Sequence, residues 1–149
     1  MSRVVLDASV AIAWCFEDQK SDYSEAVSDA LNSATDAVVP MLWTHEVLNV
    51  LVRAQIHKRL TQAQSSLLWS ELRKLPIEID HGADNNTSVE IMALAGRHKL
   101  TAYAAAYLEL AIREGIPLTT LDAELMRAAT AAGVKIAFET KSQRRPRPA

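Results

Sequence analysis

Cross-links and hinges are what this chain lacks first. Cys15 is the single cysteine, so no disulfide can close within the chain, and a reducing, cytoplasmic setting is expected. Only four glycines occur in 149 residues. They are scattered at helix ends and turns, so there is no glycine-rich loop to cradle a phosphate. Aromatic residues make up 5%, and Trp14, Trp43 and Trp69 fall in separate helical segments, which suits core or partner contacts better than a platform for stacking bases. No run approaches the roughly 20 apolar residues of a membrane span. The apolar start is broken by Asp7 and reads as core rather than as a signal segment. A net charge of −2 provides no overall basic field, so a nucleic-acid surface would have to be a local patch.

What is present is an ordinary globular composition, 49% hydrophobic and 23% charged, in a length that suits one domain with a sizeable core. Val4-Val5-Leu6 is a short apolar run of the kind a strand buried on both faces shows, and it stops at Asp7. Helical spacing follows from Val10 to Trp14, with a second helix from about Asp22. Asp36–Val39 reads as a strand ended by Pro40. A long helix is expected from Leu42 to Arg59, then one capped by Thr61 and ending before Pro76. Ile77 and Ile79 alternate with Glu78 and Asp80 as a strand. The segment from His81 to Thr87 is turn-like, and Ser88 caps a helix to His98. Thr101 opens another that closes at Gly115, with Pro117 just beyond. Pro117–Thr120 is a strand, Asp122 opens a helix closed by Gly133, and Val134–Phe138 is a last strand. The alternation implies a parallel sheet covered on both faces.

Three carboxylates then share one kind of location. Asp7 ends the first strand, Asp122 follows the Pro117–Thr120 strand, and Glu46 lies in the first turns of the helix after the Asp36–Val39 strand. All would lie at the carboxyl edge of a parallel sheet, where open α/β folds hold ligands. Singly, each acid reads as a helix cap or dipole partner. Together, beside Ser9, Asn49 and Thr120, they point to a cation site, since clustered carboxylates repel unless a cation or shared proton offsets them. Oxygen donors alone favour Mg²⁺ or Mn²⁺ over zinc. Competing motifs fail. His45-Glu46 begins a zinc-protease pattern, but Asn49 stands where the second histidine belongs. Asp7-Ala8-Ser9 lacks the second acid that phosphatases with an aspartyl nucleophile use. His57, His81 and His98 read as surface residues, and the basic clusters around His57 and His98 suit helix C-terminal ends.

Four segments, V-V-L-D-A-S-V, P-x-L-W-x-x-E-V-x-N, L-T-A-Y-A-A-A-Y-L-E-L-A and L-T-T-L-D-A-E-L, carry a resemblance to PIN-domain ribonucleases of the VapC toxin type, from Val4 to about Phe138. The resemblance implies a three-layer α/β/α fold with a five-stranded parallel sheet, occupying residues 1–139. It also implies Mg²⁺- or Mn²⁺-dependent cleavage of RNA, dimerisation, and neutralisation by a VapB-type antitoxin. By it Asp7, Glu46 and Asp122 are the metal-binding acids, with Ser9, Asn49 and Thr120 in support. Asp7 and Asp122 would hold the principal ion from adjacent strands. One position departs: the family has Asp directly after the first tyrosine of the third segment, and here it is Ala104. The expectation is an impaired enzyme with an intact fold. The preserved flanks read as an introduced inactivating change rather than natural loss. A binding module acting through dimer and antitoxin contacts is the alternative from another class. Residues 140–149 carry Lys141, Arg144, Arg145 and Arg147 with two prolines and no acid. This composition suits a solvated, disordered tail, with a phosphate-touching arm as the functional alternative.

Overall fold

The first strand is buried because it is flanked on both sides. In the computed structural model, which describes residues 2–82 and 85–139, β1 (Ser2–Leu6) pairs in parallel with β2 (Thr35–Pro40) and with β4 (Leu118–Thr119). β3 (Ile77–Asp80) joins β2 at the outer edge, giving a parallel sheet of order β3-β2-β1-β4. Val5 and Leu6 are wholly buried, which is why this run is continuously apolar rather than alternating.

The helices are α1 (Ala8–Cys15), α2 (Asp22–Leu31), α3 (Leu42–Ile56), α4 (Gln62–Arg73), α5 (Asn85–His98), α6 (Ala102–Glu114) and α7 (Ala123–Ala131). They cover the sheet on both faces, and their apolar sides join one core with the strands. Caps set several boundaries. Thr61 accepts from the Gln64 amide and Thr101 from the Ala104 amide, each at 3.1 Å, so two orphan donors of the first turn are satisfied. Gly115 ends α6 at φ +66°, a left-handed conformation that a side chain would strain.

The expected fifth strand is the main correction, because among the described residues the sheet has four. Val134–Phe138 contributes one isolated parallel bridge, between Ile136 and Leu118. The Leu118 amide donates to the Lys135 carbonyl and the Ala137 amide to the Leu118 carbonyl, both at 2.9 Å. The ladder then stops, because β4 is only two residues long and Phe138 turns away at φ +60°. The long third helix closes at Ile56 rather than Arg59. Lys58 takes φ +60° there, and the Arg59 and Leu60 amides fold back onto the Ala54 carbonyl. α5 starts at Asn85, ahead of Ser88. The basic tail lies outside the described residues. Among the described residues, no helix is long and apolar enough to cross a membrane.

Because Leu6 is fully buried in a central strand, Leu6→Ala should cost about 2–5 kcal/mol of stability. A urea titration would measure this as a lower midpoint with unchanged slope.

Candidate active site

A carboxylate at a helix N-cap normally spends itself on the first amides of that helix. Asp7 occupies the N-cap position of α1 yet makes no side-chain cap bond. Its Oδ2 instead accepts two hydroxyls, Ser9 Oγ at 2.6 Å and Thr120 Oγ1 at 2.8 Å. Each hydroxyl accepts in turn from a backbone amide of the loop after β4, Leu121 to Ser9 at 3.0 Å and Asp122 to Thr120 at 2.9 Å. One oxygen thus joins the end of β1 to the loop between β4 and α7.

Asp122, in that loop, does cap. Its Oδ1 accepts from the Glu124 and Leu125 amides, so the plainer reading of this acid holds as well. Glu46, in the second turn of α3, is half-buried. Its Oε1 accepts the Tyr107 hydroxyl at 2.6 Å. Tyr107 is not among the residues that the sequence analysis singles out. A tyrosine at a fully buried helical position needs a partner for its hydroxyl, and that was the available signal. Tyr23 belongs to the same region. Its hydroxyl donates to the Ala137 carbonyl at 2.9 Å.

The electrostatics derive from burial. Asp7 is 7% exposed. Desolvation pushes its carboxyl above the ordinary range, the bonds from Ser9 and Thr120 pull it back in part, and the charge on Asp122 adds to the rise. Glu46 is raised by burial, offset by the Tyr107 bond and raised again by Asp7. The Tyr23 hydroxyl is pushed up to about 12, mainly by burial, and the Tyr107 hydroxyl well beyond its normal range by burial and then by the charges of Asp7 and Glu46. Both tyrosines are donors at any physiological pH.

The structure therefore brings Asp7, Ser9, Thr120 and Asp122 into one hydrogen-bonded joint, with Glu46 and Tyr107 in electrostatic reach. Asn49 is exposed one turn beyond Glu46 on α3. Ala104 is the third residue of α6, half-buried against the core, one turn before Tyr107. His45, His57 and His81 are exposed, and His98 is half-buried with no hydrogen-bond partner for Nε2 among the described residues. Among the described residues, no three Asp, Glu, His or Cys side chains are near enough to ligate one ion. Nor does any ion pair there involve Asp7, Glu46 or Asp122.

Fold and edge together define a parallel α/β protein whose acids at the carboxyl ends of adjacent strands have no ion-pair partner among the described residues. Residues 4–131 match the PIN domain family model, and the chain belongs to that family. It is 30% identical over 129 residues to Ribonuclease VapC3 of Pyrobaculum aerophilum, across 83% of this chain and 92% of the relative. Among solved structures, VapBC2 from Rickettsia felis, bound to a DNA fragment from its promoter, superposes with a TM-score of 0.67 at 10% identity, over 90% of this chain and 96% of that one. VapC20 of Mycobacterium tuberculosis, a toxin that cleaves the sarcin-ricin loop, superposes at 0.60 with 12% identity, over 96% and 99%. At these identities the two structures establish the fold.

Two substitutions probe the joint. A carboxyl whose folded pKa is raised holds its proton more tightly in the native state, so its contribution to stability falls as pH rises through that value. In chelator-containing buffer Asp7→Asn should melt above the parent at about pH 8, with the gap closing toward about pH 4. Tyr107→Phe removes a donor to a carboxylate and should cost about 1.5–3 kcal/mol. Its effect should be non-additive with Glu46→Gln in a double-mutant cycle.

Proposed function

We propose that this chain is a toxin-type endoribonuclease that cleaves RNA phosphodiester bonds with Mg²⁺ or Mn²⁺, weakened by the alanine at position 104. One contrast carries the reading. Glu109 is as buried as Asp7, at 6% against 7%, and Arg113 neutralises it, its Nε donating to Glu109 Oε1 at 2.7 Å. Among the described residues Asp7 has no such cation, and it feels the charges of two more acids. A fold that pairs its structural buried acid yet leaves this cluster unpaired keeps the cluster for a cation from outside.

The donor set fits. It is oxygen-only, and Mg²⁺ commonly takes one or two carboxylates and keeps waters for the rest, so three converging side chains are not required. Asp7 and Asp122, at the ends of adjacent strands, would hold the principal ion, and Glu46 would hold a second ion or orient the water. When bound, the metal lowers the pKa of a water and offsets charge on the phosphate. The chain's own part is orientation. Ser9 and Thr120 hold the Asp7 carboxylate in one rotamer, Tyr107 holds Glu46, and the α7 amides hold Asp122. An acid at position 104 would stand in the first turn of α6, where the helix dipole favours it. Alanine removes that charge without disturbing the Thr101 cap.

The partners proposed are RNA as substrate, a VapB-type antitoxin and a second copy of the chain. The likeness to the VapBC2 structure supports the antitoxin. Exposed Val52 and Ile56 on α3, and Val89 and Met92 on α5, supply apolar surface for a protein partner. These same faces favour the second reading, a non-catalytic binding module.

Ala104→Asp separates the two readings. It should raise Mn²⁺-dependent cleavage of structured RNA on the order of 10²–10³-fold, the scale on which one electrostatic group matters in a preorganised site. Adding Asp7→Ala should abolish the gain. A revertant that stays inert across RNA substrates and binds Mn²⁺ no better favours the binding module.

A further inference from the structure

The aromatic residues are three tryptophans, three tyrosines and two phenylalanines, and burial divides them sharply. Phe16, Tyr23, Trp43 and Tyr107 are buried, and Trp14 and Trp69 are half-buried. These six are engaged within the fold. The Trp43 and Trp69 rings meet at 6.1 Å, Arg73 lies over Trp69, Arg59 lies over Phe16 at 4.8 Å, and Trp14 donates to the Ser24 carbonyl. The other two, Tyr103 and Phe138, are 66% and 37% exposed. Neither has a ring or a cation against it among the described residues.

Both exposed rings stand at the edge that carries the acids. Helix α6 delivers the chain to the start of β4, so its own first turn lies at the carboxyl ends of the strands. Tyr103 is in that turn, one turn before Tyr107 on the same stripe of the helix. Tyr107 is buried and donates to Glu46, so Tyr103 is the next ring outward from that contact. Phe138 follows the Ile136–Leu118 bridge, directly after the Ala137 carbonyl that the Tyr23 hydroxyl holds at 2.9 Å. The same hydroxyl feels the charge of Asp7. Phe138 takes φ +60°, a conformation that bulky side chains rarely adopt and that concentrates at ligand sites.

This edge is poorly suited to holding a polyanion by its phosphates. Such contacts need cations, and among the described residues none pairs with Asp7, Glu46 or Asp122. Stacking needs no cation. Every base has a π-face, and unpaired bases splayed out of a strand settle on aromatic side chains. We propose that Tyr103 and Phe138 are stacking platforms for unpaired bases of RNA lying across the acid edge. The proposal rests on the ribonuclease reading and says how that edge grips its substrate. A protein partner is the rival occupant of the two rings. It would have to desolvate the carboxylates beside them, whereas RNA arrives with divalent ions that offset that charge.

The test is fluorescence anisotropy of a fluorescein-labelled single-stranded RNA of about ten nucleotides, within the span one binding groove covers. An abasic strand with the same backbone is titrated beside it, both across a salt series in Mg²⁺. Tyr103→Ala should weaken RNA binding by about five- to 150-fold, the range of one base–aromatic stack. Its log–log salt slope should stay that of the parent, because no phosphate contact is lost. Phe138→Ala should behave alike. Tyr103→Phe should keep the parent's affinity and Tyr103→Leu should lose it, while the abasic strand should bind parent and variants equally. Because the Tyr103 ring is exposed, its variants should melt with the parent. Equal RNA affinity in parent and alanine variants, or an equal loss on the abasic strand, would overturn the platforms and leave the rings to a protein partner. A reduced salt slope would overturn them in favour of a phosphate contact. RNA cleavage by Ala104→Asp with KM unchanged on adding Tyr103→Ala would overturn the Tyr103 platform while the ribonuclease reading stands. A parent that binds neither strand, together with an inert Ala104→Asp chain, would remove both.

Discussion

A single carboxylate oxygen ties together the carboxyl ends of the two strands β1 and β4. Asp7 Oδ2 takes hydroxyl donors from the first turn of α1 and from the end of β4, and both hydroxyls pass the connection on to backbone amides of the next loop. β1 and β4 are adjacent in space but more than a hundred residues apart in the chain. Their ladder has only two registered pairs, Val5 with Leu118 and Leu6 with Thr119. So short a ladder cannot by itself hold the loops beyond it in register, and the hydroxyl bonds at its end do that. The side chain that organises the edge is therefore also the one that the proposed function assigns to a ligand there.

That arrangement works against stability. Burying a carboxylate is costly unless hydrogen bonds or a cation offset it, and two hydroxyls are a modest offset. Elsewhere the same chain finds the full solution. Arg113 reaches Glu109 and Asp80 together, with Nη2 at 2.7 Å from Asp80 Oδ2, and locks the end of β3 to α6. The two buried acids are thus held in different ways. Glu109 is neutralised by an ion pair that stiffens the fold, whereas Asp7, among the described residues, is held by hydroxyl donors alone. Tyr107 and Tyr23 fit the same pattern. Each is a neutral donor close to the acid edge, able to orient oxygens without cancelling their charge.

Much of the edge was legible in the sequence because parallel α/β topology converts order along the chain into position. An acid after an apolar run, before a helix, has few other places to be, which is why Asp7 and Asp122 could be assigned to one edge from letters alone. Thr61 and Thr101 were legible for a local reason, as caps three residues ahead of the amides they serve. What could not be read depends on tertiary partners. Whether Asp7 caps its own helix or reaches across to Thr120 is decided by the β1–β4 pairing, and no local pattern encodes it. Nothing local to α6 marks Tyr107, whose hydroxyl finds Glu46 from another helix. The last strand misled for the opposite reason. Val134–Phe138 has the right composition, but its neighbour β4 is two residues long and Phe138 turns out of the ladder.

Position 104 shows how little the start of α6 asks of one side chain. The Ala104 amide is held by Thr101 Oγ1, and its methyl group packs half-buried against the core, so the helix start depends on the backbone and the cap and not on this side chain. An aspartate there would gain from the helix dipole, and on the proposed reading its charge would serve a bound cation. Alanine forgoes that charge at no cost to the cap, so on that reading one substitution changes the chemistry while every strand, cap and hydroxyl bond described above is kept.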